Sequence, residues 1–434
     1  MTGLLLLLIF AIFAALMFVR VMPAILAVPA MAVVVAAVVG LPFTGILNDV
    51  IAAGSVKLAP AYVAVFAGAM LGRVMIHSGI AEGIIKRAAE FGGDRPLIVA
   101  GALMIVTAVL FTSLTGLGAI IMVGSLVLPI MMSLGVPRKL SAVLFLMAFA
   151  TGFIFNIALW RLYRELLQIE PTSTLPPEVP RFAVGLLIVM VIVVTLYTII
   201  ASRRAEGISF WAVATKDDVI EERTGGRRGV LLVSFLTPFV PLVLYVGLGW
   251  RELPAFIGGA LFGVLTTAPR RAIRTLSAAA VRGVEDGAPA AILLVGIGML
   301  LNALTLPAVR VALEPIITAV PLRSPISYVL FFGLLSPLAL YRGPLNPFGV
   351  GIGVYSIMFA AGALPPLALL AAIMSVVQVQ NVCDPTNTQN VWVANYAGIR
   401  VEEITRASLA TMMIVAAGGL VLGAWMFLEV SSKQ

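Results

Sequence analysis

The stretch VQNVCDPTNTQNVW, residues 379–392, decides the fold of this chain. In hydrocarbon, polar backbone and side chains persist only where they are buried in protein or line a wet cavity. Pro385 lacks the N–H that a continuous helix would use. We therefore predict a broken membrane helix whose ends offer ligands to an ion, with the polar exit of an ordinary span as the alternative. The polar residues follow an apolar run that begins near Leu367, and they are Asn381, Asp384, Thr386, Asn387, Thr388, Gln389 and Asn390.

The composition of the chain indicates a helical membrane protein. Of its 434 residues 61% are hydrophobic and 11% are charged, and the mean hydropathy is +1.11. This apolar share far exceeds that of ordinary soluble domains. The single cysteine, Cys383, excludes an internal disulfide, and the single histidine, His77, gives no metal-site pattern. With no nucleophile and base and no metal cluster, we expect neither an enzyme nor a bound cofactor beyond a coupling Na+ or H+.

Apolar runs predict an all-α polytopic protein with about ten transmembrane helices. Residues 42–57 are too polar to span and predict an interfacial helix or loop, and the charged segment 202–228 divides the chain. An amphipathic segment, PRRAIRTLSAAAVRGVED, precedes the eighth span. The predicted spans are 3–19, 21–40, 58–78, 139–160, 182–201, 230–249, 255–267, 288–306, the run that ends in VCDPTNTQN, and 408–428.

Two interrupted apolar pairs, residues 96–134 and 326–363, predict re-entrant hairpins. In the first, arms of about 15 residues, or about 22 Å each, flank the tip TSLTGLGA and fall short of a ~30 Å hydrocarbon core. Basic residues at both ends, Arg95, Arg138 and Lys139, place both ends in the cytoplasm. The second pair has the tip LYRGPLNPFGVG. Two short spans remain the alternative.

The two halves of the chain, 1–228 and 229–434, align at a single offset in residue number, from i to i + 229. The segment APAYVAVFAGAML, 59–71, falls on APAAILLVGIGML, 288–300. Five spans in each half is an odd number, so the second copy must be upside down, as in inverted-topology repeats of secondary transporters. The same offset superposes Pro60 on Pro289, Met70 on Met299, Ser113 on Arg342, and Asn156 on Pro385.

The distribution of Lys and Arg orients the chain. With both termini outside, 18 basic residues are cytoplasmic, 8 are external, and Arg73 and Arg342 lie in apolar segments. This split follows the positive-inside rule, and it explains the basic balance without a nucleic-acid partner. We expect a multi-pass protein of the bacterial cytoplasmic membrane.

The segments AVFAGAMLGRVMIHSGIAEGI, LTGLGAIIMVGSLVLPI and DPTNTQN resemble the ion-transporter superfamily of carboxylate carriers. This group includes gluconate permeases, citrate and dicarboxylate transporters, and the large membrane subunit of TRAP systems. The resemblance implies a homodimer, in which each chain has a scaffold domain and a mobile, elevator-type transport domain drawn from both halves. It also implies that hairpin tips and polar breaks bind the coupling cation and the carboxylate.

Candidate site residues follow from the tips and the breaks. A guanidinium such as that of Arg342 can bind a carboxylate in bidentate fashion, with a snorkelling or backbone-bonded arginine as the alternative. Asp384 is the best candidate for the coupling ion, with a structural cap as the alternative. Arg73 and His77 are expected to be structural. The substrate-binding candidates are Arg342, Asn346, Ser113, Thr115, Asn156, Thr386 and Asn387, and the ion-coupling candidates are Asp384, Thr388, Asn390, Gly116 and Gly118.

Three functional classes fit the sequence. The first is uptake of an organic anion, such as a carboxylate or sugar acid, coupled to H+ or Na+. The second is cation/proton antiport, which needs Asp384 but not Arg342. The third is a TRAP-type permease that works with a binding protein, or a membrane component that does not transport.

Overall fold

A computed structural model describes residues 2–19, 21–92, 96–167, 169, 176–205, 231–318, 322–349 and 351–429. Within these ranges the chain is helical and contains no strand. Most of the divider 202–228, together with Arg20 and Arg95, lies outside the described residues. The helices of the first half are Thr2–Phe18, Ala24–Val38, Phe43–Gly45, Ile46–Ala52, Ala53–Lys57, Ala59–His77, Ile80–Gly92, Pro96–Phe111, Leu117–Ser133, Arg138–Phe153, Ile157–Leu166 and Glu178–Ala205.

The second half begins with short 3-10 and π turns and continues with longer helices. Its elements are Leu232–Phe239, Val240–Leu242, Val243–Gly247, Glu252–Thr267, Pro269–Arg271, Ala272–Thr305, Pro307–Thr318, Pro325–Leu335, Ser336–Arg342, Gly351–Ala360, Pro366–Cys383, Thr388–Ala397, Val401–Ala424 and Trp425–Glu429.

Among the described residues, six helical segments are long and apolar enough to cross a membrane, and a bent pair makes a seventh. The bent pair, Arg138–Phe153 and Ile157–Leu166, turns by 62°. Four of the ten predicted spans are shorter apolar helices of 10–17 residues: Thr2–Met17, Ala24–Val38, Leu232–Gly247 and Glu252–Thr267. One arm of the second predicted hairpin, Pro325–Arg342, is itself of spanning length.

Two long helical segments, Phe43–His77 and Pro269–Thr305, are called here the crossing helices. Both correct the sequence interpretation, which separated residues 42–57 and the amphipathic segment before 288 from the spans that follow them. The first crossing helix runs for 35 residues and includes a π turn, and the second runs for 37. In the first crossing helix the regular backbone is interrupted only locally, at Leu58 (φ −99°, ψ 22°), between Ala53–Lys57 and Ala59–His77.

The crossing helices pack antiparallel through two reciprocal glycine contacts. A Cβ at Gly54 would lie 2.6 Å from Met299 Cα, and a Cβ at Gly283 would lie 2.6 Å from Met70 N. Only glycine permits the two backbones to approach so closely. The offset of 229 residues that aligns the two halves relates Gly54 to Gly283 and Met70 to Met299. The two contacts are therefore equivalent, since exchanging the halves converts one into the other.

The two broken helices also have matching geometry. Pro137 (φ −55°, ψ 140°) and Pro365 (φ −56°, ψ 143°) precede their first turns, where the fixed φ of proline suits a helix start. At the breaks, Asn156 (φ −73°, ψ 112°) matches Asp384 (φ −74°, ψ 112°). The residue numbers differ by 228 in both pairs, Pro137 with Pro365 and Asn156 with Asp384, whereas equivalent residues of the crossing helices differ by 229. At this shorter offset Asn156 corresponds to Asp384, whereas the sequence alignment matched it with Pro385. Asn156 precedes the helix after its break, and Asp384 follows the helix before its break.

Candidate functional site

The carboxylate of Asp384 lies at the break between Pro366–Cys383 and Thr388–Ala397, and it is fully buried. Its Oδ1 accepts hydrogen bonds from the N–H of Tyr341 (2.9 Å), the N–H of Thr386 (2.9 Å) and the Thr386 hydroxyl (2.7 Å). Its Oδ2 accepts one from Asn346 Nδ2 at 3.1 Å. Four donors thus satisfy the hydrogen-bonding capacity of this buried carboxylate.

The tip of the second predicted hairpin, residues 340–349 and called here the second tip, has unusual backbone geometry. Tyr341 and Arg342 have φ of 55° and 59°, in the left-handed region that costs side-chain-bearing residues energy. The Tyr341–Asp384 hydrogen bond helps to hold this turn. Asn346 is fully buried and spans the tip, since its Nδ2 also donates to the Ala339 carbonyl (2.8 Å) and its Oδ1 accepts from Phe348 N (2.8 Å).

Arg342, the predicted anion ligand, is half-buried at the second tip. Its Nη1 donates to the carbonyl of Phe348 at 3.1 Å, which is the backbone-bonded arrangement considered as the alternative. Arg342 forms no ion pair within 4 Å with Asp384 or any other described residue. A guanidinium has five N–H donors, so this single bond leaves donors for a ligand.

Amide side chains surround the second break. Asn387 Nδ2 donates to the Gln380 carbonyl at 2.8 Å, and Gln380 Nε2 donates to Asn387 Oδ1 at 3.1 Å. Asn390 Nδ2 donates to the Asp384 carbonyl at 3.0 Å. Two buried amide oxygens, Gln380 Oε1 and Asn390 Oδ1, accept no hydrogen bond from the described part of the chain. Thr388, a predicted ion ligand, is exposed.

Residues 112–116, between Pro96–Phe111 and Leu117–Ser133, are called here the first tip. The first break donates hydrogen bonds to the first tip, whereas the second break accepts them from the second tip. The Nδ2 of fully buried Asn156 donates to the carbonyls of Phe111 and Leu114, both at 3.2 Å. Its Oδ1 caps the next helix by accepting from Ala158 N at 3.2 Å and Leu159 N at 3.4 Å. An amide thus binds carbonyls at one break, and a carboxylate binds N–H groups at the other.

The hydroxyls of the first tip bond to neighbouring backbone. Ser113 Oγ donates to the carbonyl of Pro238, and Thr115 Oγ1 donates to the carbonyl of Val65 at 3.1 Å. Among the described residues no hydrogen bond joins the first tip to the second. The predicted site residues therefore form two groups, one around Asp384 and one around Asn156.

Two predicted ion-coupling glycines, Gly116 in the first tip and Gly118 in the helix that follows it, lie against an acidic residue that the sequence interpretation did not single out. A Cβ at Gly118 would lie 2.5 Å from Asp286 Oδ1, and Gly116 (φ +88°) lies beside the Asp286 main chain. Arg73 holds the Asp286 carboxylate in a bidentate ion pair, with Nε–Oδ2 of 2.5 Å and Nη2–Oδ1 of 2.6 Å. Arg73, which the sequence interpretation expected to be structural, thus pairs with an acid from the other half of the chain.

The offset between the two halves is the signal that could have identified Asp286. Under that offset Asp286 corresponds to Lys57, and Arg73 corresponds to Asn302. Lys57 Nζ donates to Asn302 Oδ1 at 2.7 Å. The crossing helices thus have a polar bond at each of two equivalent positions, and each bond joins the two halves.

Comparison with known proteins identifies the fold as that of a membrane transporter. The structure is similar to the crystal structure of the Alcanivorax borkumensis YdaH transporter, which is described as having an unusual topology. The TM-score is 0.56 at 14% sequence identity, and the match covers 88% of each chain. No family model and no curated protein matches the sequence. The chain is a multi-pass membrane protein with a transporter fold, and it is all-helical over the residues that the structure describes.

Proposed function

We propose that this protein is a secondary active transporter that couples the movement of H+ or Na+ to the uptake of an organic anion, such as a carboxylate or sugar acid. The observation that carries the proposal is the fully buried carboxylate of Asp384 at a helix break. Ionisable residues inside membrane segments are costly and mark ion pathways.

The cation is proposed to bind between Asp384 and the amides of the second break. Hard cations such as Na+ prefer oxygen ligands, and Gln380 Oε1 and Asn390 Oδ1 are buried oxygens to which no described residue donates. The Asp384 carboxylate supplies the charge that offsets the charge of the cation. Protonation of the same carboxylate would serve instead if H+ is the coupling ion.

The anion is proposed to bind at the second tip through Arg342. Its guanidinium has N–H donors beyond the one that bonds to Phe348, and a carboxylate would take two of them in parallel. Asp384 bonds to the backbone of the same tip through Tyr341, so the cation and anion sites share one rigid unit. Occupation of one site thereby changes the geometry and charge at the other.

The reciprocal contacts of the crossing helices support an inverted-topology repeat with halves 1–228 and 229–434. Exchanging the halves converts the Gly54–Met299 contact into the Gly283–Met70 contact, which is the property of a two-fold axis. Because the crossing helices are antiparallel, that axis would lie in the membrane plane. We propose that they belong to the scaffold and that the tips and breaks move together as the transport domain, in the elevator manner, within a homodimer.

Cation/proton antiport is the second candidate. The bond of Arg342 to the Phe348 carbonyl favours it, because an arginine that only stabilises the tip needs no anionic ligand. Accumulation of radiolabelled gluconate, citrate and succinate in proteoliposomes, under imposed Na+ or H+ gradients, separates the candidates. Gradient-driven accumulation of one of these anions supports symport. Cation exchange with no anion uptake supports antiport.

A further inference from the structure

A cavity of about 410 Å³ lies at the Lys57 end of the crossing helices, away from Asp384 and its network. Lys57 and Thr305 contribute from the crossing helices, Arg310 from Pro307–Thr318, Ser356 from Gly351–Ala360, and Glu165 from Ile157–Leu166. Its volume is in the range of small-molecule sites. The elements around it include one arm of the second predicted hairpin and the helix that follows the first break.

The charges around this cavity do not cancel. Glu165 is paired with Arg161, which is itself 3.6 Å from Glu252. Lys57 bonds only to the neutral amide of Asn302, and Arg310 makes no ion pair with any described residue. Neither cation therefore has a carboxylate within 4 Å among the described residues. Glu165 lines the same cavity and interacts electrostatically with Lys57 from a greater distance, so the three charged residues of the lining, Lys57, Arg310 and Glu165, leave a net charge of +1.

The position equivalent to Lys57 and Asn302, at the other end of the crossing helices, contains a complete ion pair. There the cation, Arg73, has its counter-ion in Asp286, and both side chains are largely shielded from solvent. In the other half, Asn302 corresponds to Arg73 and Lys57 corresponds to Asp286. The Lys57–Asn302 pair therefore has a cation but no carboxylate. A carboxylate from outside the protein would complete the Lys57 position as Asp286 completes the Arg73 position.

Hydroxyl groups supply a second element of recognition. The Thr305 hydroxyl donates to the Asn302 carbonyl at 2.9 Å, and the Ser356 hydroxyl donates to the Ile352 carbonyl at 2.7 Å. Because each hydroxyl has used its proton, its oxygen is left as an acceptor. Together with Glu165, these oxygens would accept hydrogen bonds from hydroxyl groups of a ligand.

We propose that the Lys57 cavity binds a small, hydroxylated organic carboxylate, as an anion site separate from Arg342. Lys57 and Arg310 bind its carboxylate, and Thr305, Ser356 and Glu165 accept from its hydroxyls. Any part that this site plays in transport rests on the proposed function, but its affinity for anions does not.

Cysteine modification tests the charge of the cavity and does not require that the ligand be identified. Cys383 is the sole cysteine and is buried, so Cys383→Ala provides the background. Thr305→Cys is reacted in detergent with the anionic reagent methanethiosulfonate ethylsulfonate and the cationic reagent methanethiosulfonate ethyltrimethylammonium. Thr44→Cys, at another exposed threonine, is the control. We expect the anionic-to-cationic rate ratio to be at least about fivefold higher at position 305, because one charge at 4 Å in water gives about that factor.

Two substitutions then change the cavity charge by different routes. Lys57→Met removes the cation, and Asn302→Asp gives Lys57 an internal counter-ion like Asp286. Each is expected to lower the rate ratio at least about fivefold, because a unit charge at 4 Å in water changes the rate of each reagent by about that factor and in opposite directions. Lys86→Gln, at an exposed lysine paired with Glu82, is the matched control and should leave it unchanged. The proposal is overturned if the anionic-to-cationic rate ratio of Thr305→Cys equals that of the Thr44→Cys control. It is also overturned if neither Lys57→Met nor Asn302→Asp changes that ratio.

Protection of the Thr305→Cys thiol tests the ligand class. Gluconate should slow modification, whereas glucose, which lacks the charge, and butyrate, which lacks the hydroxyls, should protect less. Equal protection by all three, or none by gluconate, overturns the assignment. Uptake assays on Asp384 variants are independent of this result, so failure of the cavity site and failure of the transport function are distinguishable.

Discussion

The Asp384 carboxylate accepts a hydrogen bond from the main-chain N–H of Tyr341 at 2.9 Å, and it thereby joins the second break to the second tip. Tyr341 has a left-handed backbone, so this bond also stabilises a strained turn. We therefore expect a change in the charge or ligation of Asp384 to alter the segment that presents Arg342. This relationship links the proposed cation site to the proposed anion site.

Replacement of Asn156 tests the first break. Asn156→Ala leaves the buried carbonyls of Phe111 and Leu114 without their donor. We expect a loss of about 1 to 3 kcal/mol in the free energy of unfolding, measured by denaturation in mixed micelles. Thr388→Ala, at the exposed threonine of the other break, should change stability by less than about 0.5 kcal/mol. Equal stabilities of the Asn156→Ala variant and the parent protein would contradict a stabilising role for the hydrogen bonds from Asn156 to Phe111 and Leu114.

The reciprocal packing of the crossing helices predicts matched effects from two distant glycines. Gly54→Ala and Gly283→Ala each place a Cβ 2.6 Å from the opposite backbone. Each should cost about 1 to 3 kcal/mol of stability through overpacking. Gly101→Ala, where a Cβ meets nothing within 4 Å, should be neutral or stabilising. Thermal melting of the three variants measures these changes in stability. If Gly54→Ala lowered the melting temperature and Gly283→Ala did not, the two contacts would not be equivalent.

The Arg73–Asp286 ion pair predicts strong coupling between the two side chains. Asp286→Asn leaves a shielded guanidinium without its counter-ion and should cost about 3 kcal/mol of stability. Arg73→Gln combined with Asp286→Asn should recover part of that loss, since no uncompensated charge remains. A double-mutant cycle on unfolding free energy measures the coupling. Additive effects of the two substitutions would show that the pair is not an energetic unit.

The class of the protein and the positions of both breaks could be predicted from the sequence, because apolar composition and polar interruptions are local signals. Asp384 could be located for the same reason. Asp286 was missed because it lies in a segment with many charged residues. The offset between the halves marks its position, but its contacts with Arg73 and Gly118 join residues far apart in the sequence and are not contained in any local pattern. The match of Asn156 with Asp384, and not Pro385, depends on backbone geometry that an offset along the sequence does not contain.

Substitution of Arg342 tests anion selection at the second tip. Arg342→Ala should weaken binding of the transported anion by about 30-fold or more, since loss of one partner of a buried, hydrogen-bonded charge pair costs about 2 to 5 kcal/mol. Arg342→Lys should substitute poorly, because an ammonium lacks the fork that binds a carboxylate in bidentate fashion. Calorimetric affinities of the three proteins check this. Equal affinities would remove Arg342 from the site and favour cation/proton antiport.

The central claim is that Asp384 couples cation movement to transport, and gradient-driven uptake by Asp384→Asn in proteoliposomes tests it most directly. The amide retains the shape of the carboxylate but removes its charge. We expect accumulation of the anion under a Na+ or H+ gradient to collapse, while exchange of internal for external anion persists. An Asp384→Asn variant whose uptake depends on both gradients as the parent protein does would contradict the account.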